Sequence, residues 1–336
     1  TTEYSCKVPN SVSSVTVNAT ATSTKAKVRG LGAKDLVEGK NTLPIRVIAE
    51  DGSEKIYNVN VTRKREATSL KNEIMKNTVI TANPTLTTSS NNSNDASGLY
   101  KSTATNTGDP TYYFRGNVEN NYVSFAGQTW RIVRVNEDGT VRIIMQDGIT
   151  GNTNIEFNAN YNNYTYMYYT NNSNAKTTLE NWYQRNIGSK VDLASKVVSG
   201  NYYCEQAKVS SGYSLGNVTV ITTDKYIPDF KCTTDENGYG IVNASVGLLS
   251  YDEVVYAGGY WKQNNDYYLN INRFFCTMSP AGIVGSTASV WFVESRGSLN
   301  HNYVRGTFAL RPVIILTADT QISSGDGTKE NPFVVE

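Results

Sequence analysis

The chain contains one histidine, His301, and four cysteines, Cys6, Cys204, Cys232 and Cys276. Any mechanism that needs an imidazole, whether as general base, nucleophile partner or metal ligand, must use His301. That residue sits in the polar, loop-like stretch Ser298-Leu299-Asn300-His301-Asn302-Tyr303. A cysteine nucleophile needs its base within hydrogen-bond reach. The thiol in question is Cys276, and its surroundings Arg273-Phe274-Phe275-Cys276-Thr277-Met278 read as apolar core. No CxxC pair occurs, and neither zinc-type His/Cys spacing nor an EF-hand pattern is present. The acidic pair Asp252-Glu253 follows Ser250 in the first turn of a helix, where the cap and the dipole explain both carboxylates. These residues predict a protein that binds and does not catalyse, with no cofactor and no metal.

Cys204 follows a helix-like stretch, and Cys232 ends Tyr226-Ile227-Pro228-Asp229-Phe230-Lys231-Cys232. A disulfide between them closes a loop of about 27 residues and stabilises by about 3–4 kcal/mol in the chain-entropy model. Two separate thiols, each a small buried hydrophobe, are the other reading.

The elements that must position these residues fall into two parts. Residues 1–63 alternate with a period of two, in Ser14-Val15-Thr16-Val17-Asn18-Ala19, in Leu43-Pro44-Ile45-Arg46-Val47-Ile48-Ala49 and in Ile56-Tyr57-Asn58-Val59-Asn60-Val61. Glu50-Asp51-Gly52-Ser53 turns between the last two, so they form a hairpin of a small antiparallel sandwich. Lys64-Arg65-Glu66 is a short polar joint. Ser69 caps a short helix through Met75, and residues 84–110, rich in Ser, Thr and Asn, read as a long surface loop. Two strands, Gln128–Val135 and Val141–Met145, flank the turn Asn136-Glu137-Asp138-Gly139. Thr177-Thr178-Leu179-Glu180 reads as a capping box, with Leu179, Trp182, Tyr183 and Ile187 on one helix face. Val191, Ala194, Val197 and Val198 form a shorter apolar stripe. A second capping box at Ser250 opens a helix that ends at Gly258-Gly259. Strands, then helices, then strands predict an α+β domain.

Composition narrows the function. Of 336 residues 39% are hydrophobic and 18% charged, with a formal net charge of +1. That is a globular composition of about two domains. No basic face is visible, which argues against nucleic acid and against an anionic membrane surface. No run of 18 apolar residues occurs, so any membrane attachment lies outside this chain. The opening Thr1-Thr2-Glu3-Tyr4 already reads as strand, without a signal peptide, as expected of a piece of a longer protein. The 23 tyrosines and 38 asparagines fit either an adaptable binding surface or an AT-rich genome.

Residues 1–64 resemble the bacterial cadherin-like, immunoglobulin-like β-sandwich repeat of surface proteins. The motifs are Thr1-Thr2-Glu3-Tyr4 with Val8-Pro9, Val15 and Val17 before Ala19-Thr20-Ala21, Gly39 with Asn41-Thr42, and Ala49-Glu50-Asp51-Gly52 running through Lys55, Tyr57, Val59 and Val61-Thr62-Arg63. The resemblance implies a spacer whose first strand precedes Thr1, leaving a sheet edge open.

Residues 65–336 resemble a domain of Firmicutes surface proteins related to the C-type-lectin and formylglycine-generating-enzyme fold. Its motifs occur in order from residue 112: Trp130-Arg131-Ile132-Val133-Arg134-Val135, Leu179-Glu180-Asn181-Trp182-Tyr183, and Gly247-Leu248-Leu249-Ser250 through Gly259. Thr277-Met278-Ser279-Pro280, Val290-Trp291-Phe292-Val293, Leu310-Arg311-Pro312-Val313-Ile314 and Ser324-Gly325-Asp326-Gly327-Thr328 complete the set. Trp130, Trp182 and Trp291 suit the core, and Arg311 suits a carbonyl or carboxylate at the start of a closing strand. The reactive cysteine pair of formylglycine-generating enzymes is absent, and so are the calcium-site motifs of true C-type lectins.

In the variable proteins of diversity-generating retroelements, which share this fold, ligand contacts precede the closing strand. The matching residues here are Trp291, Glu294, Ser295, Arg296, Asn300, His301, Asn302, Tyr303 and Arg305. Tyr260 and Trp261, two aromatics in a polar loop, form a second candidate contact for a sugar ring or a protein. The resulting expectation is multidomain: an all-β immunoglobulin-like sandwich and an α+β C-type-lectin-like domain, forming a secreted, cell-surface adhesion protein. Its ligand would be a host or bacterial surface protein or a carbohydrate. The alternatives are an enzyme of the formylglycine-generating-like fold and a purely structural surface protein.

Overall fold

The computed structural model describes residues 2–64, 66, 68–86, 95–149, 155–170, 173–200, 203–206, 227–232 and 238–335. The chain divides into two compact units, one of Thr1–Thr68 with Gln321–Gly325, the other of Ser69–Thr320 with Asp326–Val335. Strand makes up 39% and helix 12%, so the protein is multidomain and β-rich.

In the first unit the period-two alternation becomes six strands: β1 (Glu3–Val8), β2 (Ser14–Val17), β3 (Lys27–Arg29), β4 (Gly32–Asp35), β5 (Gly39–Ile48) and β6 (Glu54–Arg63). One sheet runs β1-β6-β5-β3, and β2 pairs with β4 in another. Val17, Leu36, Ile45 and Val61 are buried between them. The β5–β6 hairpin holds register from Gly39↔Arg63 to Ile48↔Glu54. At its turn Gly52 takes φ +83°, and the Asp51 carboxylate accepts from the Ser53 amide and hydroxyl at 2.9 and 2.7 Å. β1 lies parallel to β6 as an edge strand. A Cβ on Gly30, whose φ is +90°, would lie 2.3 Å from the Pro44 carbonyl oxygen, so only glycine lets these segments approach.

Further along the chain are β7 (Thr68–Ser69), α1 (Leu70–Ile74), β8 (Val79–Ile80), β9 (Gly98–Ser102), β10 (Thr111–Arg115), β11 (Tyr122–Phe125), β12 (Gln128–Val135) and β13 (Val141–Met145). Then come β14 (Ile155–Glu156), α2 (Asn174–Tyr183), α3 (Val191–Ala194), β15 (Tyr203–Gln206), β16 (Gly238–Val242) and α4 (Tyr251–Ala257). The chain closes with β17 (Phe275–Val284), β18 (Thr287–Val293), β19 (Leu299–Tyr303), β20 (Thr307–Phe308), β21 (Val313–Leu316), β22 (Gln321–Ser324) and β23 (Phe333–Val335). β12 is the hub of the second unit. It takes β11 and then β10 along one edge and β13, backed by β21, along the other. Every residue of β13 and β21 is buried, which fits their continuous apolar runs and a sheet covered on both faces. A separate antiparallel sheet is built from β17, β18 and β19.

Trp130, Trp182 and Trp291 are all buried; Trp130 donates to the Phe125 carbonyl at 3.0 Å and lies 6.1 Å from the Trp182 ring. Arg311 donates to the carbonyls of Met145 and Leu269 at 3.0 and 2.8 Å. The helix opened by Ser250 has its capping box and a left-handed Gly258 at φ 117°.

Three local expectations are corrected. α2 starts at Asn174 with Ser173 as its cap, so Thr177 is inside the helix and not at its opening. α3 covers only Val191–Ala194, with no residue buried and Val191 exposed, while Val197 of the same stripe lies past its end, buried and bridged to Leu316. Gly98–Ser102, expected within a loop, pairs along its whole length with β10.

Candidate binding surfaces

The residues singled out near the C-terminus gather on the β18–β19 hairpin. Its turn is held by the Glu294 amide donating to the Ser298 carbonyl at 2.8 Å. The Glu294 carboxylate accepts from the Ser298 hydroxyl at 2.5 Å and from Asn300 at 2.9 Å. Glu294 therefore shapes the hairpin. Ser295 is half-buried beside it, while Arg296 and Asn300 are exposed.

The loop after α4 closes onto this turn. Leu299 donates to the Tyr260 carbonyl at 2.7 Å, Asn264 to the Arg296 carbonyl at 3.1 Å, and the Tyr267 hydroxyl to the Gly297 carbonyl at 2.9 Å. Trp261 is 55% exposed at that junction, with Lys262 Nζ 4.9 Å from its ring. Tyr260 and Trp291 lie buried and support the surface from beneath. Along β19, Asn302 and Tyr303 are exposed, and the exposed Arg305 places its guanidinium 4.7 Å over the Tyr161 ring. Four residues of strand, about 13 Å at strand rise, separate Leu299 from Tyr303. The predicted set thus forms two patches, Trp261 with Arg296 at one end and Tyr303 with Arg305 at the other.

His301 and Cys276 are not brought together. Cys276 is registered with Phe292 and then Asn300, whereas His301 is registered with Trp291, so the two side chains project from opposite faces of the sheet. The His301 ring meets Trp291 edge-on at 5.4 Å, and burial lowers its pKa below the usual 6.5. Burial also pushes the Cys276 thiol up to about 12. Among the described residues no group of three His, Cys, Asp or Glu side chains is placed to hold a metal, and no helix is long and apolar enough to cross a membrane.

A second surface escaped the sequence reading. Arg134 of β12 and Arg142 of β13 are direct cross-strand partners, a like-charge pair that needs an acid between them. Glu253 supplies it. One carboxylate oxygen lies 2.7 Å from Arg142 Nε and 3.4 Å from Arg134 Nε, while the other accepts from the Ser250 amide at 2.9 Å. Burial pushes the Arg134 guanidinium down and Glu253 works against it.

Above these charges lies the segment 227–232, tied at several points. Cys232 is bonded to Cys204 with Cα atoms 5.4 Å apart. The Asn106 side chain accepts from the Cys232 amide at 2.9 Å and donates to its carbonyl at 3.4 Å. Phe230 stacks on Tyr256 at 4.0 Å, and the Arg134 guanidinium lies 4.7 Å from the centre of the Phe230 ring. A groove of about 290 Å³ opens beside this segment, lined among others by Arg134, Asn136, Tyr203, Phe230 and Ile241. The legible signal was the pair of arginines placed symmetrically about the Asn136–Gly139 turn within apolar strands.

Two β-rich units define a multidomain β-sheet protein. The first unit can be placed more narrowly, since the family model described as a cadherin-like beta sandwich domain matches residues 1–64, and this segment is cadherin-like. No curated protein and no solved structure matches the chain.

Proposed function

We propose that this chain is a non-catalytic, extracellular adhesion or ligand-binding protein of a bacterial surface. The cadherin-like segment acts as spacer, and residues 65–336 form a C-type-lectin-like binding module. The observation that carries the reading is the cadherin-like sandwich at residues 1–64, a module suited to surface and adhesion roles. The Cys204–Cys232 bond supports it, because such bonds persist in oxidising compartments. Exposed Trp261 and Tyr303, with Arg296 between them in sequence, offer the residue types that anchor protein and sugar contacts. An enzyme of the formylglycine-generating-like fold draws no support from Cys276 and His301, which face apart.

The test is binding of the intact chain to arrays of glycans and host surface proteins, beside the variant Trp261→Ala, Arg296→Ala, Tyr303→Ala. All three side chains are exposed, so the variant should fold. A specific hit lost in the variant supports the module and its site. No hit, or a hit indifferent to the changes, favours a purely structural surface protein or a site elsewhere.

A further inference from the structure

We infer that the outer edge of β19 receives an extended segment of a partner protein, which joins the β17-β18-β19 sheet as a fourth strand. The inference rests on the binding-module reading proposed above and names the class of its ligand. β19 ends its sheet, and no described strand pairs with its outer side. The Leu299 amide turns away from β18, to the Tyr260 carbonyl at 2.7 Å. Backbone direction alternates along a strand, so the amides of His301 and Tyr303 turn outward as well. Each is met by the side chain before it: Asn300 accepts from the His301 amide and Asn302 from the Tyr303 amide, both at 2.8 Å.

These local bonds compete with ladder pairing and keep the edge satisfied while no strand lies on it. Asn300 and Asn302 are exposed, so both can swing clear. The two are not equally held. Asn300 also donates to Glu294 at 2.9 Å, whereas among the described residues Asn302 makes only the one side-chain bond. An incoming peptide carbonyl replaces an asparagine oxygen with another oxygen, so neither amide is left unpaired. The outward Leu299 carbonyl takes an incoming amide in return. Open edges are usually blunted by lysine, proline or a bulge. The sequence of β19, Leu-Asn-His-Asn-Tyr, has neither lysine nor proline, and its register with β18 is unbroken.

The two surface patches stand at the ends of this edge. Trp261 follows the carbonyl that meets Leu299, and Tyr303 with Arg305 lies at the far end. Leu299 and Tyr303 are about 13 Å apart at strand rise, so about six extended residues cover the edge and reach both patches. The exposed guanidinia of Arg296 and Arg305 form no ion pair with a described residue. They select a segment with an acidic side chain near each end, and exposed Trp261 selects an apolar one beside it. Main-chain bonds then supply affinity and alternate side chains supply choice, as in other strand additions.

The experiment selects a phage-displayed random heptapeptide library on the intact chain and measures the recovered peptide, free in solution, by fluorescence anisotropy. N-methylation at one alternate set of its residues should weaken binding tenfold or more, and at the other set less than twofold. With peptide bound, the His301 and Tyr303 amides should exchange at least tenfold more slowly by NMR. Asn302→Val, which removes the looser of the two side-chain bonds at an exposed position, should tighten binding severalfold. Recovery of no peptide, equal tolerance of N-methylation at both sets, or unchanged exchange at His301 and Tyr303 overturns the inference. A glycan that binds and is lost in the Trp261, Arg296 and Tyr303 variant, with no peptide recovered, overturns the strand addition and leaves the binding module standing. No ligand of either kind sinks both.

Discussion

Glu253 uses its two carboxylate oxygens differently, one closing the capping box of α4 and the other bridging Arg142 and Arg134. With the Glu253 and Arg142 side chains each 3% exposed, the bridge is shielded from solvent. Glu253→Gln retains an acceptor for the cap but removes the carboxylate that bridges the two facing arginines, leaving Arg134 its longer pair with Glu137 at 3.4 Å. The expected cost is about 3–5 kcal/mol, the range for breaking a buried pair from one side, measured as the midpoint shift in urea unfolding. His301 gives a pH prediction. Burial lowers its pKa below 6.5, so the folded state prefers the neutral ring. Its contribution to stability is therefore complete above pH 6.5 and is lost as pH falls through the folded value. Because His301 is the single histidine, its C2 proton titrates without ambiguity, and a midpoint at or above 6.5 contradicts the burial argument.

Local signals and paired elements differ in how far sequence reveals them. Ser250 was readable as a cap because serine, glutamate three residues on and a closing glycine all agree, and α4 realises each. Ser250→Ala should cost about 1 kcal/mol and should be visible in the same urea experiment; no change would mean that packing alone fixes the first turn. The pattern at Thr177 misled for a physical reason. A threonine followed by glutamate is tolerated inside a helix, and Ser173, four residues before Thr177, already accepts from the Lys176 amide at 3.2 Å. β9 was missed because its strand character comes from pairing with β10 and not from its own sequence. The groove was missed likewise. Its walls come from β12, β15, β16 and the segment before Cys232, which only the folded chain brings together.

At the scale of the molecule the β5–β6 hairpin of the first unit was legible, since a ten-residue register and an Asp-Gly turn leave little choice of partner, whereas β3 and β4 went unread and β1 lies parallel to β6 where an antiparallel sandwich was expected. In the second unit β13 finds β21 far along the chain, at Ile144↔Val313, and nothing local in either strand names the other. Cys204 and Cys232 join β15 to the segment 227–232. Replacing both with serine should lower stability by about 2–4 kcal/mol, and calorimetry should show the loss in the unit that carries the bond while the cadherin-like unit is unmoved. The bond has a topological consequence as well. Residues 204 and 232 bound a closed covalent ring, so a protease that cuts a peptide bond between them opens a loop without severing the molecule. The nicked protein keeps its full mass without reductant and parts into two fragments only when the bond is reduced, so a single cut there sheds nothing.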